Sequence, residues 1–346
     1  MPPKEARAET PPQKRTPTIP AVPPSKATPS SGMLVTVILI VLWYVSSMFA
    51  ITTSKLTMQA AKVPLVLCVV QFTTATVVSG TVLAVQGLSA GLPERKGTFV
   101  LGSCSLTYTL GFFFTNLAFS LAHASFVETV KSGEPISTVV LAYFLLGEVE
   151  GTATYASLLP VVIGVGMASA GEAGGTIAAF MATVASNFGF SARAVFAKQL
   201  KHDHPQSPPA KSDVCLFFHI SWMGLIGLLP LAGIQEGPKL LAAFSSPEFD
   251  LSRFVSVILL NGLMYTAYNQ FSFMVLSRVS TATHAVLNVC RRVCVIGATT
   301  LFFNTPLTLV NMIGIGVAVA GMFWFTHAKS QPQKKPETMK PESKKQ

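Results

Sequence analysis

The chain has 346 residues, of which 50% are hydrophobic and only 12% charged. A soluble domain carries about 25% charged residues, so this composition excludes an ordinary water-soluble globule and points to lipid as the solvent. The net charge of +10 does not indicate nucleic acid, because the basic residues gather in loops and tails instead of forming one continuous stripe.

The first 31 residues hold nine prolines among Ser, Thr, Lys and Arg, with no apolar period, and disorder is expected there. No short apolar h-region precedes the first long apolar segment, so no cleavable secretory leader is read. The composition has some transit-peptide character, against which Glu5 and Glu9 argue. Ten segments long enough to span a bilayer, about 17–25 residues each, then begin near Met33, Val63, Thr98, Ala124, Tyr155, Gly175, Asp213, Phe254, Ser280 and Leu307. Gly147-Glu148 and Glu150-Gly151 separate the fourth from the fifth. From about Lys329 a tail with six lysines and two glutamates closes the chain, a solvated segment able to touch anionic lipid headgroups. The expected fold class is an all-α membrane protein of ten transmembrane helices, with disordered polar tails at 1–31 and 329–346.

An even number of spans puts both termini on one side. Loops and tails on that side carry 17 Lys and Arg residues, and the opposite loops carry four, Lys55, Lys62, Lys239 and Arg253. This asymmetry predicts cytosolic termini. The five cysteines all fall inside apolar segments, without zinc or disulfide spacing, and are expected to act as small packing residues.

Four basic residues remain: Lys131, Arg193, Arg291 and Arg292. Arg193 sits near the end of the sixth span and is expected to snorkel to the interface. The other three lie deep, where each cation costs roughly 2.5–3.5 kcal/mol on insertion scales. Glu128 and Glu134 flank Lys131 at i−3 and i+3, so a local ion pair remains open for it. The arginine pair has no acidic residue in its own span, and adjacent side chains diverge by about 100° on a helix. An anionic ligand is therefore expected there. Thr115 and Lys131 each lie about eight residues from the turn between spans three and four, roughly 12 Å from one face. Tyr268 and Arg291 each lie about twelve residues from the turn between spans eight and nine, roughly 18 Å from the other face. In a core about 30 Å thick the two sets meet at one depth.

Spans five and ten end alike: Ile163-Gly164-Val165-Gly166-Met167-Ala168-Ser169-Ala170-Gly171 shares six of nine positions with Ile313 to Gly321 at an offset of 150. The match suggests two five-span units, 32–172 and 173–328. An odd number of spans inverts the second unit, the arrangement that alternating access uses.

Several local patterns then fall in a specific order: Leu42-Trp43-Tyr44 and Lys55; Phe114-Thr115-Asn116; Lys131-Ser132-Gly133-Glu134-Pro135; Phe144-Leu145-Leu146-Gly147-Glu148; Tyr268-Asn269-Gln270; Thr283-His284-Ala285; and Asn288-Val289-Cys290-Arg291-Arg292-Val293. Over roughly residues 33–328 the chain resembles the plastidic phosphate translocator family, the triose-phosphate, phosphoenolpyruvate and hexose-phosphate translocators of the drug/metabolite transporter superfamily. The resemblance implies that Lys131, Arg291 and Arg292 bind phosphate. It also implies that Thr115 and Tyr268 contact the substrate and that Phe190 forms an aromatic wall. Three departures stand out. The doublet is Arg-Arg where the family has Lys-Arg, Phe112 stands where triose-phosphate members have histidine, and the segment after span four resembles the hexose-phosphate branch.

The resemblance implies an antiporter, not an enzyme, that exchanges inorganic phosphate for phosphorylated C3 metabolites: triose phosphate, 3-phosphoglycerate and phosphoenolpyruvate. No cofactor, metal or nucleic acid is expected, and the partners are these solutes and membrane lipid. The implied location is a plastid, and the short N-terminus suits an outer membrane of a multi-membrane plastid. Two alternatives stay open. One is a Golgi nucleotide-sugar transporter of the same superfamily. The other is a membrane enzyme acting on phosphorylated lipid, although no H-E-x-x-H helix is present. His123, His219 and His327 are expected in ordinary polar roles, whereas His284, two turns before Arg291, can tune the charge of a cavity.

Overall fold

The computed structural model describes residues 31–147, 149–170, 176–279, 281–305 and 308–331. Of the tails expected at 1–31 and 329–346, residues 1–30 and 332–346 lie outside the described residues, as do Glu148, Gly171, Gly175, Ser280 and Leu307, whereas Ser31, Lys329 and Ser330 belong to helices. Thirteen helices follow in order: α1 (Ser31–Ala60), α2 (Pro64–Val85), α3 (Arg95–Leu121), α4 (Ala124–Lys131), α5 (Glu134–Leu146), α6 (Thr152–Ala170), α7 (Ile177–Asp203), α8 (Pro208–Lys211), α9 (Asp213–Gln235), α10 (Gly237–Phe244), α11 (Leu251–Leu276), α12 (Thr281–Phe302) and α13 (Leu309–Ser330). No strand occurs among the described residues.

Ten membrane helices emerge once α4 and α5 are counted as one broken span and the short α8 and α10 are set aside as connectors. Each begins within three residues of the position read from the sequence. Seven are long and apolar enough to cross a membrane by length and composition alone. Of the rest, α7 and α11 have 27 and 26 residues, about 40 Å of helix, but carry more polar side chains. The tenth is split in two. Large apolar residues such as Phe99, Leu159, Ile226 and Leu301 are exposed around the perimeter, as a lipid-facing surface requires.

The packing pairs relate the two halves of the chain. α6 lies on α13 and α2 on α9, while α1 on α11 is matched by α3 on α7. Exchanging the halves maps α6–α13 and α2–α9 onto themselves and α1–α11 onto α3–α7. The α6–α13 seam uses the repeated segment directly. A Cβ at Gly164 would fall on the backbone of Gly314 and Ala318, and one at Gly314 on Gly164 and Ala168. Only glycine lets the two backbones approach so closely.

Span four, expected as one helix, is broken. Ser132 N donates to Thr129 O and Gly133 N to Val130 O at 3.0 Å each, a tightened last turn that ends α4. Pro135 cannot donate a backbone bond and opens α5. The Val130 carbonyl accepts a second bond, from Asn187 Nδ2 on α7 at 3.1 Å. The break also seats two charges favourably. Lys131 occupies the last turn of α4 and Glu134 the first turn of α5, each at the helix end whose dipole stabilises its sign.

At the end of the bundle away from the chain termini, two buried groups lock neighbouring helices. Lys55 Nζ donates to the carbonyls of Phe119 and Ala122 at 2.8 and 2.6 Å, closing the C-terminus of α3. Glu236 accepts from Leu65 N and Val66 N at 3.1 and 2.9 Å, capping α2 from the end of α9. Outside the spans, burial pushes the Glu236 carboxyl above its ordinary range, and the two backbone donors oppose that shift.

Candidate functional site

A cavity of ≈ 170 Å³ lies inside the bundle, and Lys131, Arg291, Arg292, Thr115, Tyr268, Phe190 and Phe112 all line it. The break in span four delivers Lys131 from α4. Lys131 Nζ donates to Thr115 Oγ1 at 3.3 Å and lies 4.8 Å from the Phe190 ring centroid. Thr115 also shares a 2.6 Å hydrogen bond with Ser186, so α3 and α7 meet at this point. Their contact is close because Gly111 faces Gly189, where a Cβ would come within 2.8 Å of Gly111 N.

The two arginines reach the cavity from α12 in different states. Arg292 is ion-paired with Glu134 across the bundle, and its second nitrogen lies 3.8 Å from Glu128. No acid lies within the arginine doublet's own span. The acids come from span four, and they turn to Arg292 instead of forming the local pair with Lys131 that their spacing allowed. Arg291 finds no carboxylate among the described residues. Its Nε donates to Asn288 Oδ1 at 3.0 Å, and its guanidinium lies 5.9 and 6.0 Å from the Trp43 and Tyr268 ring centroids, within cation–π range. Trp43 in turn stacks on His284 at 4.8 Å, so this histidine backs the cavity wall.

Arg193 corrects a second expectation. It lines the cavity instead of anchoring at the interface, with its guanidinium 5.4 Å from the Tyr108 ring centroid. Its Nε is buried without a hydrogen-bond partner. Ser186, Phe190 and Arg193 share one face of α7 at helical spacing and stand opposite Thr115, Phe112 and Tyr108 of α3. That spacing was the available signal, since Phe190 was already placed in the site and Arg193 follows it by three. Lys131 at Thr115 and Arg193 at Tyr108 are therefore about 10 Å apart along α3.

Between these cations the cavity is aromatic and polar. Phe112 packs against Phe190 at 4.8 Å and against Tyr265 at 4.9 Å, and the hydroxyls of Tyr108 and Tyr265 are 2.6 Å apart. Behind them Asn116 donates to Gln71 at 3.0 Å, Gln71 donates to Asn261 at 2.9 Å, and Asn261 donates to Ser54 at 2.9 Å. This network satisfies polar groups that hydrocarbon would penalise. It was legible only as scattered Asn and Gln in separate spans.

In total four basic and two acidic side chains line the cavity, Lys131, Arg193, Arg291 and Arg292 against Glu128 and Glu134, a formal excess of two positive charges. An enclosed excess of this size complements a dianion with several acceptor oxygens. Planar guanidinium forks suit phosphate in particular.

Several known proteins are similar to this chain over most of its length. The model of the Triose-phosphate Transporter family matches residues 34–326. The chain is 30% identical over 293 residues to the triose phosphate/phosphate translocator, non-green plastid, chloroplastic, of Brassica oleracea var. botrytis, covering 84% of this chain and 72% of that one. It is 32% identical over 294 residues to phosphoenolpyruvate/phosphate translocator 1, chloroplastic, of Oryza sativa subsp. japonica, covering 83% and 70%. It is 34% identical over 262 residues to the triose phosphate/phosphate translocator, chloroplastic, of Zea mays, covering 73% and 62%. A solved crystal structure superposes with a TM-score of 0.53 at 17% identity, over 86% of this chain and 96% of that one, a likeness of fold alone.

Proposed function

The chain belongs to the Triose-phosphate Transporter family, and on that premise we propose that it exchanges inorganic phosphate for phosphorylated C3 metabolites across a plastid membrane, with its termini in the cytosol. It is a multi-pass membrane transporter and not an enzyme. The observation that carries the finer reading is the buried excess of two positive charges. Inorganic phosphate and a phosphomonoester both carry about −1.5 to −2 at neutral pH, so either neutralises the cavity.

In this reading Arg291, Arg292 and Lys131 grip the phosphate, and Thr115 and Tyr268 hold its remaining oxygens or the adjoining carbon chain. Phe112 and Phe190 wall the three-carbon body. Arg193, about 10 Å further along α3, receives a second anionic group, which favours C3 acids such as 3-phosphoglycerate and phosphoenolpyruvate. The units 32–172 and 173–328 rock against each other around this site, as inverted repeats do.

Exchange follows from charge. Closing the cavity empty buries two uncompensated positive charges at a cost of several kcal/mol each, whereas closing it around a dianion buries none. Movement of the empty protein is therefore slow. The test is uptake into liposomes preloaded with phosphate, comparing triose phosphate, 3-phosphoglycerate, phosphoenolpyruvate, glucose 6-phosphate and a UDP-sugar. The C3 compounds enter and the others do not. Uptake of the UDP-sugar in preference to the C3 compounds would replace this reading with the nucleotide-sugar one.

A further inference from the structure

Arg292 already has carboxylate partners within the bundle. Its guanidinium holds Glu134 of α5 on one nitrogen and approaches Glu128 of α4 on the other. These glutamates stand on opposite sides of the break at Ser132 and Gly133. One arginine on α12 thus ties both halves of span four to span nine. Yet Arg292 is also one of the cations that the phosphate reading assigns to the ligand.

The surroundings of Glu134 show where its carboxylate can go. A second cavity of ≈ 180 Å³ shares Glu134, Asn288 and Arg292 with the main one and is further bounded by Thr138, Phe325 and Thr326. The Arg292–Glu134 pair is the partition between the two. On its backbone side Glu134 is held to α7, through Ser191 Oγ donating to its carbonyl at 3.4 Å and Thr138 sharing a 2.9 Å bond with Ser191. The side chain can therefore leave Arg292 without unseating α5, and Thr326 and Asn288 supply polar groups on the far side.

Resting on the phosphate reading of this site, we propose that Glu134 is the internal counter-anion of the empty protein: it competes with ligand phosphate for Arg292, and its displacement unties α5 from α12 at the break in span four. A dianion placed against Lys131 and Arg291 repels the neighbouring carboxylate while offering Arg292 more acceptor oxygens. Filling the site then swings Glu134 toward the second cavity. Occupancy is thereby coupled to a hinge, and the coupling is reciprocal: whatever frees Glu134 strengthens phosphate binding. In the empty protein the same carboxylate cancels one positive charge, so it also sets how readily the unloaded protein reorients.

Two measurements on the full-length chain test this. Calorimetric titration of the purified protein with inorganic phosphate gives affinity without transport. Glu134→Gln removes the competing charge and keeps the shape, and it binds phosphate at least about fivefold more tightly than the unmodified chain. Glu134→Asp, which keeps the charge, stays within about twofold. In liposomes Glu134→Gln also raises the ratio of phosphate–phosphate exchange to net phosphate efflux, because the empty cavity now carries one more uncompensated charge. Unchanged or weaker phosphate binding by Glu134→Gln, with exchange and efflux falling in parallel, overturns the proposal and leaves Glu134 a structural partner. If the unmodified chain binds no phosphate, the phosphate reading fails, and this inference fails with it.

Discussion

Arg193→Gln isolates the second cationic end of the cavity. Its guanidinium packs on Tyr108, has a buried Nε without a partner and lies about 10 Å from Lys131 along α3. Loss of its charge weakens every dianion through long-range attraction. Only a substrate with a second anionic group also loses a direct charge-assisted hydrogen bond, worth about 1.5–3 kcal/mol, or roughly 10–150-fold in affinity. Triose phosphate, with a phosphate and no carboxylate, is the internal control for 3-phosphoglycerate. The assay is competition against labelled phosphate uptake in phosphate-loaded liposomes. The ratio of the two inhibition constants shifts by at least about tenfold against 3-phosphoglycerate. Equal weakening of both compounds would refute the assignment of Arg193 to a carboxylate.

Lys131→Ala and Arg291→Ala each abolish binding of every phosphorylated substrate, measured by calorimetry so that loss of affinity is separated from loss of motion. Phe112→His places a donor between Phe190 and Tyr265 and raises triose phosphate uptake relative to phosphoenolpyruvate by about 3–10-fold, the worth of one neutral hydrogen bond; unchanged preference would remove Phe112 from the substrate wall. Gly189→Leu drives a side chain into the Gly111 backbone, separating Thr115 from Ser186, so transport is lost and the thermal midpoint in detergent falls. Gly227→Leu, with open space around it, changes neither. Lys55→Met strands the carbonyls of Phe119 and Ala122 and costs about 2 kcal/mol, read as a lower midpoint; an unchanged midpoint would show that those carbonyls find other donors.

The span positions were legible because apolar length is written locally in the chain. Asp213 and Ala124 were read as helix starts and are helix starts. Lys131, Arg291 and Arg292 stood out because charge inside an apolar segment is costly wherever it falls. What stayed hidden was contact between spans distant in sequence. Glu128 and Glu134 are spaced to pair with Lys131, their neighbour in the chain, whereas the packing of span four against α12 brings Glu128 of α4 and Glu134 of α5 to Arg292. Arg193 looks interfacial because it sits near the end of the sixth span in the chain, while the close α3–α7 approach through Gly111 and Gly189 holds it against the cavity. The break between Lys131 and Glu134 is marked in the sequence by Gly133 and Pro135, but the apolar residues further out, such as Phe126-Val127 and Val139-Val140, give the whole segment the length of one span.

A buried cationic cavity that moves only when filled by a phosphate group makes uptake on one side depend on phosphate on the other. Labelled triose phosphate uptake is measured into liposomes carrying the protein, with and without internal phosphate, for the unmodified chain and for Arg292→Ala. Uptake requires internal phosphate and disappears in Arg292→Ala. Equal uptake with and without internal phosphate, or normal exchange by Arg292→Ala, would contradict it.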